Sequence, residues 1–294
     1  MDMLFINTVL IPGAVGVIMF GIGLGLTVTD FARVLRFPRA VVTGLLVQTV
    51  VLVAVAYAIT RLFALPPSLA IGLMVLAASP GGALANLFSH LARGDVALNV
   101  TLTAVNSLLA LAWVPLVLDW TLQHFVGEGQ PVLLPTQKLM EVAMVIVGPI
   151  LLGMTVQRLA PVWATRFERR LRFLSVALLI TVIAVTIHSA GRTLLDHFAA
   201  VGLACLAFNV VSIAIGYVVP RAVGLSARQA VSIAFEIGVH NAAIAIYIAA
   251  AVLKDPIAGI PPALYGLIQI MTASLLVLWL RHRPVHVPTP STTT

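Results

Sequence analysis

Val231-Ser232-Ile233-Ala234-Phe235-Glu236-Ile237-Gly238-Val239-His240-Asn241 is an apolar stretch with a carboxylate at its centre. It lies in a longer run, residues 226–253, that holds no other acid. At the centre of a bilayer an acid costs about 2.5–3.5 kcal/mol even on insertion scales, so its default reading is functional. The alternative is structural, a protonated carboxyl bonded to a backbone carbonyl. Gly238 weakens the helix two residues on. Backbone carbonyls that unwind beside a carboxylate are oxygen ligands suited to a small hard cation.

The surrounding composition says that this run is in a membrane. Of 294 residues, 61% are hydrophobic and 9% charged, with mean hydropathy +1.09. Soluble domains carry about 25% charged residues. Nine stretches are long and apolar enough to span: about 4–29, 40–62, 66–92, 96–125, 139–158, 171–191, 198–219, 226–253 and 258–280. The chain therefore reads as an all-α polytopic membrane protein with nine transmembrane helices. The loops carry Pro and charge, as in Phe37-Pro38-Arg39 and Leu65-Pro66-Pro67, and no soluble domain interrupts the series.

The net charge of +7 does not point to nucleic acid, because the basic residues sit in short loops and form no basic face. One set of alternate loops holds Arg33, Arg36, Arg39, Arg93, Arg158, Arg166, Arg169, Arg170, Arg172, Arg221, Arg228, Arg281 and Arg283. The other holds only Arg61, Lys138, Arg192 and Lys254. The bias puts the N-terminus outside the plasma membrane and the C-terminus in the cytoplasm. No basic residue precedes the first apolar run, which argues against a cleaved signal peptide. Residues 283–294 read as a disordered cytoplasmic tail, and residues 1–282 as a single transporter unit. Cys205, inside an apolar run, reads as a small packing residue.

A second helix break lies in the third span, at Ala78-Ser79-Pro80-Gly81-Gly82-Ala83-Leu84-Ala85-Asn86. Pro80 removes a backbone hydrogen bond and the paired glycines relax the turn. The two interrupted spans are five apart, so they cross the membrane in opposite directions. Such a pair points to an inverted-repeat transporter with its site at the midplane. In the fourth span Asn99, Thr103, Asn106 and Ser107 share one helix face. Facing lipid they would be costly, so they point inward, as site residues or as interhelical hydrogen bonds. Gln48, Gln269 and Thr272 are further inward candidates. The run Gly21-Ile-Gly-Leu-Gly25 follows no strand, so it is no nucleotide loop and suits close helix packing. His240, four residues from Glu236, could share its proton or ligate the same ion.

These residues resemble the bile acid:sodium symporter family. The resemblance rests on Ser79–Asn86 continuing through Leu91-Ala-Arg-Gly-Asp-Val-Ala-Leu98, on Phe235–Asn241, and on Met19–Leu26 followed by Asp30-Phe31. It covers nearly the whole chain. It implies two crossed broken helices, a core of about 40–125 and 198–280, and a panel of about 4–29 and 139–191. Sodium is the implied coupling ion. The first sodium site maps to Ala85, Asn86, Asn99, Thr103 and Glu236. A second maps to Gln48, Glu236, Ile237, Val239 and His240. Two residues depart from the family's pattern. Ala85 replaces a hydroxyl ligand, and His240 stands where a glutamine normally ligates the second ion. Imidazole is a poor ligand for a hard cation, so the second site is expected to be weakened or replaced by a proton.

The expected function is sodium-coupled symport of an organic anion by alternating access. The substrate would be bile-acid-like or, in a bacterium, a small carboxylate or vitamin precursor. It would meet Gly82, Ala83, Asn241 and Gln269, with helix N-termini favouring its charge. A proton-coupled or facilitative carrier on the same architecture is the alternative. No enzyme motif occurs (neither Gly-x-Ser-x-Gly nor His-Glu-x-x-His), and beyond substrate and lipid bilayer no protein partner is indicated.

Overall fold

The computed structural model describes residues 5–126 and 136–282, and every regular element there is helical. The expected tail, 283–294, lies outside the described residues. Seven of the nine expected spans are helices long and apolar enough to cross a membrane. They are α1 (Ile6–Leu24), α2 (Pro38–Leu62), α5 (Val96–Phe125), α6 (Thr136–Leu159), the two arms of α7 (Pro161–Ala222) and α10 (Ile260–His282). The other two, 66–92 and 226–253, are each a pair of shorter helices. α3 (Pro67–Ala78) precedes α4 (Ala83–Leu91), and α8 (Ala227–Gly238) precedes α9 (Ala242–Val252).

The ends of these helices follow local chemistry. Pro38, Pro67 and Pro161 open α2, α3 and α7, where a missing N–H costs nothing. The Asp95 carboxylate accepts the Leu98 N–H at 3.1 Å to cap α5. At α8, Ser226 and Gln229 form a reciprocal capping box.

Two expectations about the sixth span need correction. Its membrane-crossing length does begin near residue 171, at Arg170, but the helix that carries it starts at Pro161, so Arg166, Glu168, Arg170 and Arg172 are helical rather than loop. Nor does a loop join it to the seventh. Gly191, at φ 52° and ψ −129°, turns the chain within one residue, which is cheap only for glycine.

Burial divides the helices into two kinds. α3 is buried all round from Leu69 to Ala78, and α9 is buried over nearly its whole length. Helices that are apolar on every face belong inside a bundle. α1 and α2 instead carry exposed Val9, Val42, Leu46 and Val50, as lipid-facing helices do. α1 packs along α6, and glycines set how closely. A methyl at Gly23 would collide with the Ile150 carbonyl, and one at Gly153 would lie 2.5 Å from the Phe20 carbonyl oxygen. Gly23→Ala should therefore lower the melting temperature by roughly 5 °C through overpacking. Gly13→Ala on the same helix, with open space at its Cβ, should not. Equal melting temperatures for the two variants would refute the close crossing.

Candidate functional site at the helix crossover

The two interruptions touch each other. Asn241 N–H, which a continuous helix would give to the Ile237 carbonyl, bonds Pro80 O at 2.9 Å. Gly81 and His240 pair as an antiparallel bridge. The approach is so close that a Cβ on Gly81 would sit 2.6 Å from the Glu236 carboxyl carbon. Only glycine fits there.

Glu236, fully buried on α8, receives three side-chain donors from one face of α5. Asn99 Nδ2 donates to Oε2 at 2.7 Å, Thr103 Oγ1 to the same oxygen at 2.7 Å, and Asn106 Nδ2 to Oε1 at 3.2 Å. The spacing along α5 makes this possible, since residues 99, 103 and 106 stack on one helical stripe. Ser107, on the neighbouring position, instead donates to the Thr103 carbonyl at 2.7 Å. The amide oxygens Asn99 Oδ1, Asn106 Oδ1, Asn86 Oδ1 and Gln48 Oε1 are buried without hydrogen-bond partners. Buried orphan acceptors are rare and need an explanation, and a cation, which takes the lone pairs of such oxygens, would supply it. Among the described residues no three His, Cys, Asp or Glu side chains gather as a metal cluster.

Asn86 makes no hydrogen bond to Glu236, and its Oδ1 is buried without a partner. It lies on α4 and lines a separate cavity beside α1. Ala85 is fully buried in a small apolar cluster with Phe88 and Phe235. Asn106, which the sequence leaves open as a site residue or an interhelical hydrogen bond, is on the carboxylate.

The residues expected at the second cation position are arranged differently. Gln48 sits in a π-turn of α2, Val47–Val51, the kind of irregularity often found at functional sites. Its Nε2 donates to Ala77 O at 3.2 Å and Ser79 O at 3.1 Å. His240 Nδ1 approaches the same Ser79 oxygen at 3.1 Å, which a carbonyl allows only if that nitrogen carries hydrogen. The imidazole stacks on Phe208 with ring centroids 5.5 Å apart, and its Nε2 is buried without a partner. The expected His240–Glu236 proton pair is not formed. The helix breaks at Val239, so the i,i+4 spacing no longer puts the two side chains on one face. Ile237 and Val239 are fully buried at that break.

A third set of polar residues closes the back of the break. Asn209 Nδ2, on the second arm of α7, donates to Gly238 O at 2.9 Å, and Tyr265 Oη donates to the same oxygen at 2.8 Å. Thr272 Oγ1 donates to Asn209 Oδ1 at 2.6 Å. Sequence reasoning missed Asn209 and Tyr265, although an amide within the span 198–219 carries the same signal as Gln48.

Gly82, Asn241 and Gln269 line a small cavity of about 40 Å³ beside the crossover. Ala83 begins α4 immediately after Gly82. Asn241 Oδ1 caps α9 by accepting the Ile244 N–H at 3.3 Å, which leaves its NH₂ as the donor available to a ligand. Gln269 Nε2 donates to His240 O at 3.1 Å, and its Oε1 has no partner.

A family model described as the sodium bile acid symporter family matches residues 12–197, more than half of the chain. The chain belongs to the sodium bile acid symporter family. The match takes in the first interruption, Ser79–Gly82, and the α5 stripe, and ends before Glu236. Membership makes the chain a multi-pass membrane transporter rather than an enzyme. The uncharacterized sodium-dependent transporter YocS of Bacillus subtilis is 25% identical over 264 residues, covering 90% of this chain and 80% of that protein. The probable sodium/metabolite cotransporter BASS1, chloroplastic, of Oryza sativa subsp. japonica is 25% identical over 262 residues, 89% of this chain and 63% of the plant protein. Mouse P3 protein is 26% identical over 214 residues, 73% of this chain and 45% of that protein. The chain thus spans less than two thirds of the plant and mouse relatives.

Proposed function

We propose that this symporter-family chain couples sodium to the movement of a small organic anion by alternating access. The observation that carries the reading is the convergence of Asn99, Thr103 and Asn106 on buried Glu236 where the two helix interruptions meet. A sodium ion would be held by Glu236, Thr103 and the Asn99 carbonyl oxygen after that amide turns over, with Asn86 completing the set from α4. The charge is balanced by one carboxylate, and neutral oxygens supply the rest, which suits a hard monovalent cation.

In this reading the nine spans form an inverted repeat. The core, about 40–125 and 198–280, moves against a panel of 4–29 and 139–191. The N-terminus lies outside the plasma membrane and the C-terminus in the cytoplasm. The anion sits at the crossover against Gly82, Ala83, Asn241 and Gln269, where the N-termini of α4 and α9 favour negative charge. The names of the relatives, sodium-dependent transporter and sodium/metabolite cotransporter, agree with sodium coupling and a metabolite cargo.

The second cation position, Gln48, Glu236, Ile237, Val239 and His240, is weakened by His240. The Ser79 carbonyl there is already taken by Gln48 Nε2 and His240 Nδ1. Transport should therefore depend on sodium with a Hill coefficient near one. His240→Gln, which restores an oxygen ligand, should raise it toward two (an order-of-magnitude expectation for one added ion). An unchanged coefficient in the variant would count against this account of the second site.

His240 also supports the rival reading, in which a proton replaces sodium or no ion is coupled. Uptake of a panel of organic anions into proteoliposomes separates them. Under an inward sodium gradient the anion should accumulate, and under a proton gradient alone it should not. Accumulation driven by protons without sodium overturns sodium coupling.

A further inference from the structure

Arg172 carries information that its place in a basic run conceals. Read as a loop residue, it served only to orient the chain. In the structure it lies on the first arm of α7, inside the helix, and lines two cavities. One is the small space at the crossover bounded by Gly82, Asn241 and Gln269. The other, of about 330 Å³, lies between α1, α4 and α5 and is lined by Asn86, His90 and Glu168. Ser175, Val176 and Leu179 continue the same face of α7 along the crossover cavity. Arg172 is therefore a cation standing where the panel faces the helix interruption.

Its charge is held by a neighbour one turn away. Arg172 Nη2 lies 2.5 Å from Glu168 Oε1, and both side chains remain accessible, 46% and 29% exposed. An i,i+4 ion pair open to water is weak and easily exchanged. Guanidinium presents a planar fork that matches a carboxylate. Glu168 is thus an internal carboxylate occupying the position an anionic cargo would take.

We infer that Arg172 is the receptor for the cargo's carboxylate, that Glu168 competes with the cargo for it, and that the cargo is a small carboxylate. The inference rests on the organic-anion reading above and deepens it. The cargo's carboxylate displaces Glu168 from the guanidinium, which also lines the crossover cavity, while its body lies in the larger cavity beside Asn86 and His90. When the cargo leaves, Glu168 re-pairs with Arg172, so no uncompensated charge remains in the cavity. Size follows from volume: 330 Å³ is at the bottom of the roughly 300–1,000 Å³ range of drug-sized pockets. Ile22, Leu26, Leu87 and Val100 give that cavity an apolar wall for a short hydrocarbon part.

The test is thermal stabilisation of the purified full-length protein in sodium, titrated with acetate, butyrate, hexanoate and succinate, and with butyramide as the uncharged control. The wild type should be stabilised by at least one carboxylate and not by butyramide. Glu168→Gln removes the competitor and should tighten carboxylate binding by about tenfold. Arg172→Gln should lose the carboxylate response, and Arg172→Lys should weaken it by keeping the charge without the fork. Both should retain the stabilisation given by sodium alone, which also reports that they fold. Undiminished carboxylate binding in Arg172→Gln, weaker binding in Glu168→Gln, or no response of the wild type to any carboxylate overturns the inference. Absence of a sodium response in the wild type counts instead against the sodium-coupled reading itself.

Discussion

Glu236→Gln should abolish sodium-dependent uptake, by at least about a hundredfold, while the protein still inserts and folds. The substitution keeps the shape of the side chain and removes the one formal charge offered to the cation. Its partners can adapt: Thr103 Oγ1 and the Asn99 amide can donate to the new amide oxygen, and Asn106, turned over, can accept from the new NH₂ through its Oδ1, which otherwise has no partner. Loss of a buried charge–dipole set costs little when the replacement is neutral, because an uncompensated buried charge is the expensive species. Ion affinity has no such reserve. With neutral ligands only, a hard cation must leave water for oxygens that do not balance its charge. The measurement is initial uptake rate against sodium concentration in proteoliposomes, with melting temperature as the control for folding. Full-rate sodium-dependent uptake by the variant would remove Glu236 from the site.

Gly81→Ala should be nearly as damaging, for a steric reason. The added methyl would lie 2.6 Å from the Glu236 carboxyl carbon and Oε1, and 2.7 Å from its backbone oxygen. Real Cβ atoms do not approach so closely, and neither the carboxylate, fixed by three donors, nor the backbone of α8 can step aside cheaply. Overpacking of this kind costs about 1–3 kcal/mol, and here the strain falls on the ion-binding carboxylate. Uptake should fall more than tenfold and the sodium concentration for half-maximal rate should rise. Gly148→Ala, which meets nothing within 4 Å, should behave as wild type. A Gly81→Ala protein with wild-type sodium affinity would mean that the two interruptions do not pack as described.

Both predictions concern a centre that the sequence exposes unevenly. The apolar runs are readable because lipid leaves backbone groups no partners but one another, and their limits agree with the helices within a few residues in most cases. The exception is instructive. Arg166, Glu168, Arg169 and Arg170 look like loop by charge, yet Pro161 opens a helix that carries them toward the membrane. Charge density reports where a chain meets water, and a helix can extend well beyond that point. The same blindness hid Arg172.

At the site, cost identified Glu236 and periodicity identified the inward face of α5, because both are local properties; that Asn99 and Thr103 on this face meet Glu236 was implied only by the family resemblance. The relation of Glu236 to His240 was not legible. Spacing of four implies one face only while the helix continues, and Val239 ends it. Asn209 and Tyr265, which together hold the Gly238 carbonyl, come from two other helices. Their partner is a backbone oxygen freed by the interruption, so no pairing of side-chain types could have announced it.

Equilibrium binding of radioactive sodium to the purified protein tests the central claim most directly, since it needs neither a known cargo nor a membrane gradient. The wild type should bind sodium saturably, close to one ion per chain, with no competition from equal potassium, and Glu236→Gln should bind none. Absence of saturable binding to the wild type, or equal binding to the variant, would contradict it.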